Sequence, residues 1–152
     1  MLSKGDKAPD FALPSHPGDT VRLKDLKGKT VILYFFPRAD TPGCTCEANE
    51  FRDSKKEFDK RGAIILGVSG DEVPALKKFQ EKYSLNFALA GDTSHEMLEA
   101  YGVWQEKTMY GMKKMGIVRT TYIIDKDGKV LHVFPKVKAE GHAAEVLEIL
   151  KG

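Results

Sequence analysis

At 152 residues the chain has the length of one ordinary domain, able to bury about 70% of its unfolded surface without a disulfide or metal. Its 24 basic and 22 acidic side chains leave a net charge of +2, with no basic block or basic aromatic face, which argues against a nucleic-acid partner. No apolar run approaches the roughly 20 residues of a membrane span, and MLSKGDKAPDF lacks the apolar core of a signal peptide, so no membrane association and a cytoplasmic location are expected.

The first 28 residues are rich in Pro, Gly, Asp and Lys and read as loop with a short strand or hairpin. Val31-Ile32-Leu33-Tyr34-Phe35-Phe36 is a continuous apolar run stopped by Pro37, the pattern of a central strand covered on both faces. A helix is predicted over about 42–60, with Ala48, Phe51 and Phe58 facing the core. Residues 63–68 read as a second buried strand, 73–83 as a helix with Pro74 in its first turn, and 87–90 as a short strand. Thr93-Ser94-His95-Glu96 matches a capping box and predicts a helix reaching Tyr101. Residues 102–116 read as a long irregular segment, whose Met109, Met112 and Met115, with Trp104 and Tyr110, line an apolar wall or pack against the sheet. Residues 120–125 and 130–134 flank Lys126-Asp127-Gly128-Lys129, a strong hairpin signal. Residues 141–150 close the chain as a helix with Val146, Leu147 and Leu150 on one face. This order predicts a single α/β domain over 1–152: a mixed, mainly parallel sheet with an antiparallel hairpin and helices on both faces.

Both cysteines, Cys44 and Cys46, lie in PRADTPGCTCEANEF, directly after the first buried run. Two are too few for a disulfide scaffold, and a cytosol keeps thiols reduced, so redox chemistry, metal binding and chance are the options. Thr41 suits an N-cap and Pro42 the first helical position, which makes Cys44 the third residue of the helix. Its sulfur then lies among the unpaired N–H groups of the first turn, at the positive end of the helix dipole, and both favour thiolate over thiol. Gly43 leaves room for a small molecule to approach. A loop at the C-terminal end of a parallel strand is also where open α/β sheets place their sites. Such a thiolate can attack a peroxide oxygen, a disulfide or a carbonyl carbon, and the motif alone does not choose.

The stretch Pro37-Arg38-Ala39-Asp40-Thr41-Pro42-Gly43-Cys44 resembles the peroxiredoxin signature P-x-x-x-T-x-x-C, and TPGCT is similar to the Q group of that family, also called bacterioferritin comigratory proteins. The likeness spans nearly the whole chain. GDKAPDFALP is similar to the family's opening, VILYFFPRADTPGCT to its core strand and loop, and YGVWQEKTMYGMKKMGIVRTTYIID to its second signature region. The resemblance implies a thioredoxin-like fold with an N-terminal extension. It implies thiol-dependent reduction of hydrogen peroxide and organic hydroperoxides, with no cofactor and with a thioredoxin-like protein or a small thiol as reductant. Cys44 matches the peroxidatic cysteine, and Thr41 the residue whose hydroxyl bonds thiolate and peroxide. Arg119 matches an arginine brought from a distant strand, and Pro37 a shield of the sulfur. The backbone N–H groups of Gly43 and Cys44 complete the implied peroxide site. Glu47 falls where the family has an acidic residue and is given a structural or supporting role. The group consists mostly of monomers, so a monomer is expected.

The second cysteine departs from the pattern. Many members carry a resolving cysteine five residues after the peroxidatic one, where this chain has Asn49, and others carry it on a later helix, where this chain has none. Side chains two apart on a helix point about 200° from each other, so Cys44 and Cys46 bridge only if the first turn unwinds. Resolution by Cys46 after unwinding, resolution by an external thiol, and a Cys46 that pairs between chains or is a bystander all stay open. A dithiol oxidoreductase is disfavoured because the spacing is C-x-C and Arg119-Thr120-Thr121 stands where that class has a proline. A metal module is disfavoured because His16, His95, His132 and His142 are scattered without ligand spacing.

Overall fold

The computed structural model describes residues 1–151, with Met109 described by its backbone only. The expectation for the Met109 side chain therefore lies outside the described residues. A seven-stranded sheet in the order β2-β1-β5-β4-β3-β8-β9 forms the centre. Its strands are β1 (Ala12–His16), β2 (Thr20–Arg22), β3 (Thr30–Phe35), β4 (Ala63–Ser69), β5 (Ala88–Gly91), β8 (Thr120–Ile124) and β9 (Val130–Phe134). The sheet is mixed. Its parallel part is confined to β3–β4 and β4–β5, and the flanking pairings are antiparallel, a smaller parallel share than the alternation of helix and strand suggests.

Strand β3 is buried on both faces because alternate side chains enter two cores. Val31, Leu33 and Phe35 join one core with Met97, Leu98, Tyr101 and Tyr122. Ile32, Tyr34 and Phe36 join the other with residues of α1 (Pro42–Asp53), α2 (Lys55–Lys60), α3 (Val73–Lys82) and α5 (His142–Lys151). Ala143 and Val146 of α5 are buried, with Leu147 and Leu150 packed beside them, as its apolar stripe predicts.

Three local expectations change. The predicted helix over 42–60 is broken at Ser54, whose N–H closes α1 on Glu50 O while its carbonyl opens α2. Asp53 and Ser54 are both weak helix formers, which explains the break. The capping box does not form. Helix α4 (Glu96–Ala100) follows His95 at φ 68°, and buried Asp92 takes the capping role, accepting from Leu98 N at 2.9 Å and Ser94 Oγ at 3.0 Å. Asp92 is fixed there because its N–H donates to Ser69 O at the end of β4.

The segment read as irregular is a regular hairpin of β6 (Trp104–Met109) and β7 (Met112–Ile117). Tyr110 and Gly111 form its two-residue turn, both at positive φ, as the tight turns of twisted hairpins require. Only the base, around Ile117, is buried, so the lysine-rich strands lack the apolar alternation by which strands are recognised.

Candidate active site

Antiparallel pairing of β8 with β3 sets Thr120 opposite Phe35. The start of β8 thus lies beside the end of β3, where the chain turns toward α1. Arg119 immediately precedes β8, and its carbonyl accepts from Val137 N at 2.8 Å while Val118 N donates to Val103 O at 2.8 Å. The residue is held between the hairpin base and the end of β9.

The loop from Pro37 to Gly43 is tied down at several points. Ala39 N donates to Asp71 Oδ2 at 2.8 Å, and Asp40, at φ 63°, accepts from Lys82 Nζ at 2.9 Å and Tyr83 OH at 2.8 Å. Lys82 first, then Tyr83, hold the Asp40 carboxyl below its ordinary range. Thr41 occupies the N-cap position and Pro42 the first helical position, which puts Cys44 third, as expected. The Thr41 hydroxyl makes no capping bond. It donates backward to Arg38 O at 2.9 Å and is not bonded to the Cys44 sulfur, leaving its lone pairs as acceptors.

The Cys44 side chain is buried, and the guanidinium of Arg119 meets it. Nη2 donates to Cys44 Sγ at 3.4 Å while Nη1 donates to Glu47 Oε1 at 2.7 Å. A thiolate accepts such a bond better than a thiol does. Glu47, one helical turn after Cys44, is fully buried, so its carboxylate aims the fork of the arginine. Burial lifts the Glu47 carboxyl to about 7, against the downward pull of Arg119. Its second oxygen and the Tyr34 hydroxyl are buried and have no partner among the described residues. Gly43 has a sharper role than open access. A Cβ there would stand 3.0 Å from Arg119 Nη2, so the glycine makes room for the guanidinium.

Cys46 is elsewhere. Helix α1 is continuous through both cysteines, and both are free. The Cys46 thiol points to Glu50 Oε2 at 3.7 Å, and burial first, then Glu50, push that thiol up. Both oxygens of Glu50 also accept from Gly141 N at 3.0 Å, joining this turn to the start of α5. Pro37 borders a cavity of about 360 Å³ under the hairpin, which Trp104 and Lys107 also line. Trp104 stacks on His95 at 3.9 Å as a pocket wall. Lys107 escaped the sequence reading, because nothing local distinguishes it from the neighbouring lysines.

Comparison with known proteins identifies the family. The AhpC/TSA family model matches residues 4–133. A Coxiella burnetii chain named as a bcp peroxiredoxin is 50% identical over 146 residues, covering 96% of this chain and 97% of that one. A PrxQ mutant from Xylella fastidiosa superposes with a TM-score of 0.93 at 32% identity, covering 99% of this chain and 96% of that one. The bacterioferritin comigratory protein of Xanthomonas campestris, solved for insight into its alkyl peroxide reduction activity, gives 0.88 at 38% identity over 93% of this chain and 90% of that one. The chain belongs to the AhpC/TSA family, with a thioredoxin-like fold. Within it the relatives are Bcp or Q-type peroxiredoxins, and the enzyme is a thiol-dependent peroxidase. No helix of the described residues is long and apolar enough to cross a membrane.

Proposed function

We propose that Cys44 is the peroxidatic residue, acting on hydrogen peroxide and organic hydroperoxides. The observation that carries this reading is the Arg119 N–H aimed at the sulfur of a cysteine at the start of α1. The thiolate attacks the distal oxygen of the peroxide. An S–O bond forms as the O–O bond breaks, and the leaving oxygen takes up a proton to depart as alcohol or water. Negative charge spreads along this line, and fixed donors stabilise it. Arg119 supplies a permanent positive charge, and the N–H groups of Gly43 and Cys44, unpaired in the first turn, supply further donors. Thr41 accepts from the incoming hydroxyl, and Pro37 limits water at the sulfur. The product is the Cys44 sulfenic acid.

Recycling is assigned to an external thiol, from a thioredoxin-like protein or a small molecule. The raised Cys46 thiol and the tie through Glu50 to α5 support this over resolution by Cys46. The chain acts as a monomer of one domain in the cytoplasm. The test is intact mass seconds after one equivalent of hydrogen peroxide, with dimedone present. The expected product is a dimedone adduct on Cys44, absent from Cys44→Ser. Full peroxidase activity in Cys44→Ser would sink the assignment.

A further inference from the structure

The cavity beside Pro37 carries more positive charge than its surroundings use. Arg38, Lys107 and Lys114 line it against one acid, Asp71. Asp71 is already engaged, its Oδ2 accepting from Ala39 N and from Ser69 Oγ, each at 2.8 Å. Among the described residues none of the three cations forms an ion pair. Lys107 and Lys114 stand directly opposite each other across the hairpin, a placement that costs stability when no anion lies between them. Lys107 is half-buried, and its stem crosses Gly116, where a Cβ would stand 3.3 Å from Lys107 Cδ. Burial and the repulsion of Arg119 hold its amine below the ordinary lysine value, while Cys44 pulls the other way. Pro37 and Arg38, which open the loop leading to Cys44, also line the cavity, so it adjoins the loop that carries the sulfur. Trp104, Met115 and Ile117 give the cavity apolar walls, and its volume of about 360 Å³ is in the range of small-molecule sites.

We infer that this cavity binds a carboxylate-bearing low-mass thiol, with Lys107 and Lys114 receiving the carboxylate, and that this thiol resolves the Cys44 sulfenic acid. The inference rests on the peroxidatic reading of Cys44. The bound thiolate attacks the Cys44 sulfur. An S–S bond forms, the S–O bond breaks, and the departing hydroxide takes up a proton to leave as water. A second molecule of the thiol attacks the outer sulfur of the mixed disulfide, releasing Cys44 as thiolate and a low-mass disulfide. Each turnover oxidises two thiols and reduces one peroxide.

The test oxidises the protein with one equivalent of hydrogen peroxide, verifies the sulfenic acid with dimedone, and times its reduction. Glutathione, which carries carboxylates, is compared with 2-mercaptoethanol, which carries none, at equal thiolate concentration. The rate ratio should favour glutathione, fall about fivefold in Lys107→Ala as one partly screened charge pair is lost, and return in Lys107→Arg. A ratio unchanged by Lys107→Ala overturns the inference, as does a Cys44–Cys46 bridge that closes before any thiol is added. If the charge preference appears instead in the oxidation step, with a carboxylated hydroperoxide losing rate relative to hydrogen peroxide, the cavity serves the peroxide and the inference fails. A protein that never forms the acid loses both readings, whereas one that forms it and fails the ratio loses only this one.

Discussion

Arg119 donates to Glu47 with one arm at 2.7 Å and to Cys44 with the other at 3.4 Å, so a single guanidinium joins a buried carboxylate to the Cys44 sulfur. The fork is rigid, and fixing one arm aims the other. Arg119→Ala should slow sulfenic acid formation by about 10²-fold or more, the scale seen when a donor to a charged transition state is removed. Stopped-flow rates with hydrogen peroxide give the answer. A loss below threefold would mean that the guanidinium does not act on the transition state.

Gly43→Ala tests the same contact from the other side. The new methyl would begin 3.0 Å from Arg119 Nη2, close enough to displace the donor from sulfur. The expected result is a slowed oxidation with the melting temperature nearly unchanged, since the pressure falls on the end of a long side chain. Unaltered kinetics would show that Arg119 adjusts freely.

Glu47 makes a prediction about pH. Its carboxyl is raised from 4.5 to about 7, because burial penalises the charged form by more than Arg119 restores. The stability this group contributes is fully present below pH 4.5 and is lost as the pH rises toward 7. His142, buried against Thr121, has the opposite sign, since its lowered value means stability lost as it is forced to charge in acid. Comparing melting temperatures of the parent and Glu47→Gln from pH 4.5 to 7.5 isolates the first effect. The difference should shift steadily in favour of the glutamine variant as pH rises, and a flat difference would refute the buried, raised carboxyl.

Cys46→Ser should leave the first oxidation at the parent rate, because the Cys46 thiol points to Glu50 and not to the site. With dimedone and one equivalent of peroxide, both proteins should show the same adduct at Cys44. A parent that instead loses about two mass units, while the variant gains the adduct, would establish an internal disulfide and an unwound first turn.

Removing the Tyr34 hydroxyl gives a stability test. It is buried without a partner among the described residues, and it sits on a ring stacked 4.8 Å from Phe51. Tyr34→Phe keeps the packing and drops an unsatisfied polar atom, so the melting temperature should hold or rise. A clear fall would mean that the hydroxyl is bonded in solution.

Much of this protein is written locally. The apolar run ending at Pro37 announces a central strand, and Thr41-Pro42-Gly43-Cys44 announces a helix start with a thiol in its first turn, because backbone preference and missing N–H partners act over a few residues. The hairpin of β6 and β7 is not legible in the same way. Its pairing is held by backbone bonds and a buried base, and its exposed lysines and methionines carry no period. The cap of α4 is also decided at a distance, since Asp92 is fixed by Ser69 on another strand.

The sequence by itself determined the α/β class and marked Cys44 as the candidate reacting residue and, through family resemblance, Arg119 as its candidate partner. Only the tertiary structure decided what surrounds the sulfur. Arg119 is 75 residues from Cys44 along the chain, and it arrives because β8 runs antiparallel to β3. That same packing buries Glu47 against Arg119, turns Gly43 into a seat for a guanidinium, and sets Lys107 in the cavity beside Pro37. Burial and charge at such a meeting point belong to the assembled elements, and no single segment encodes them.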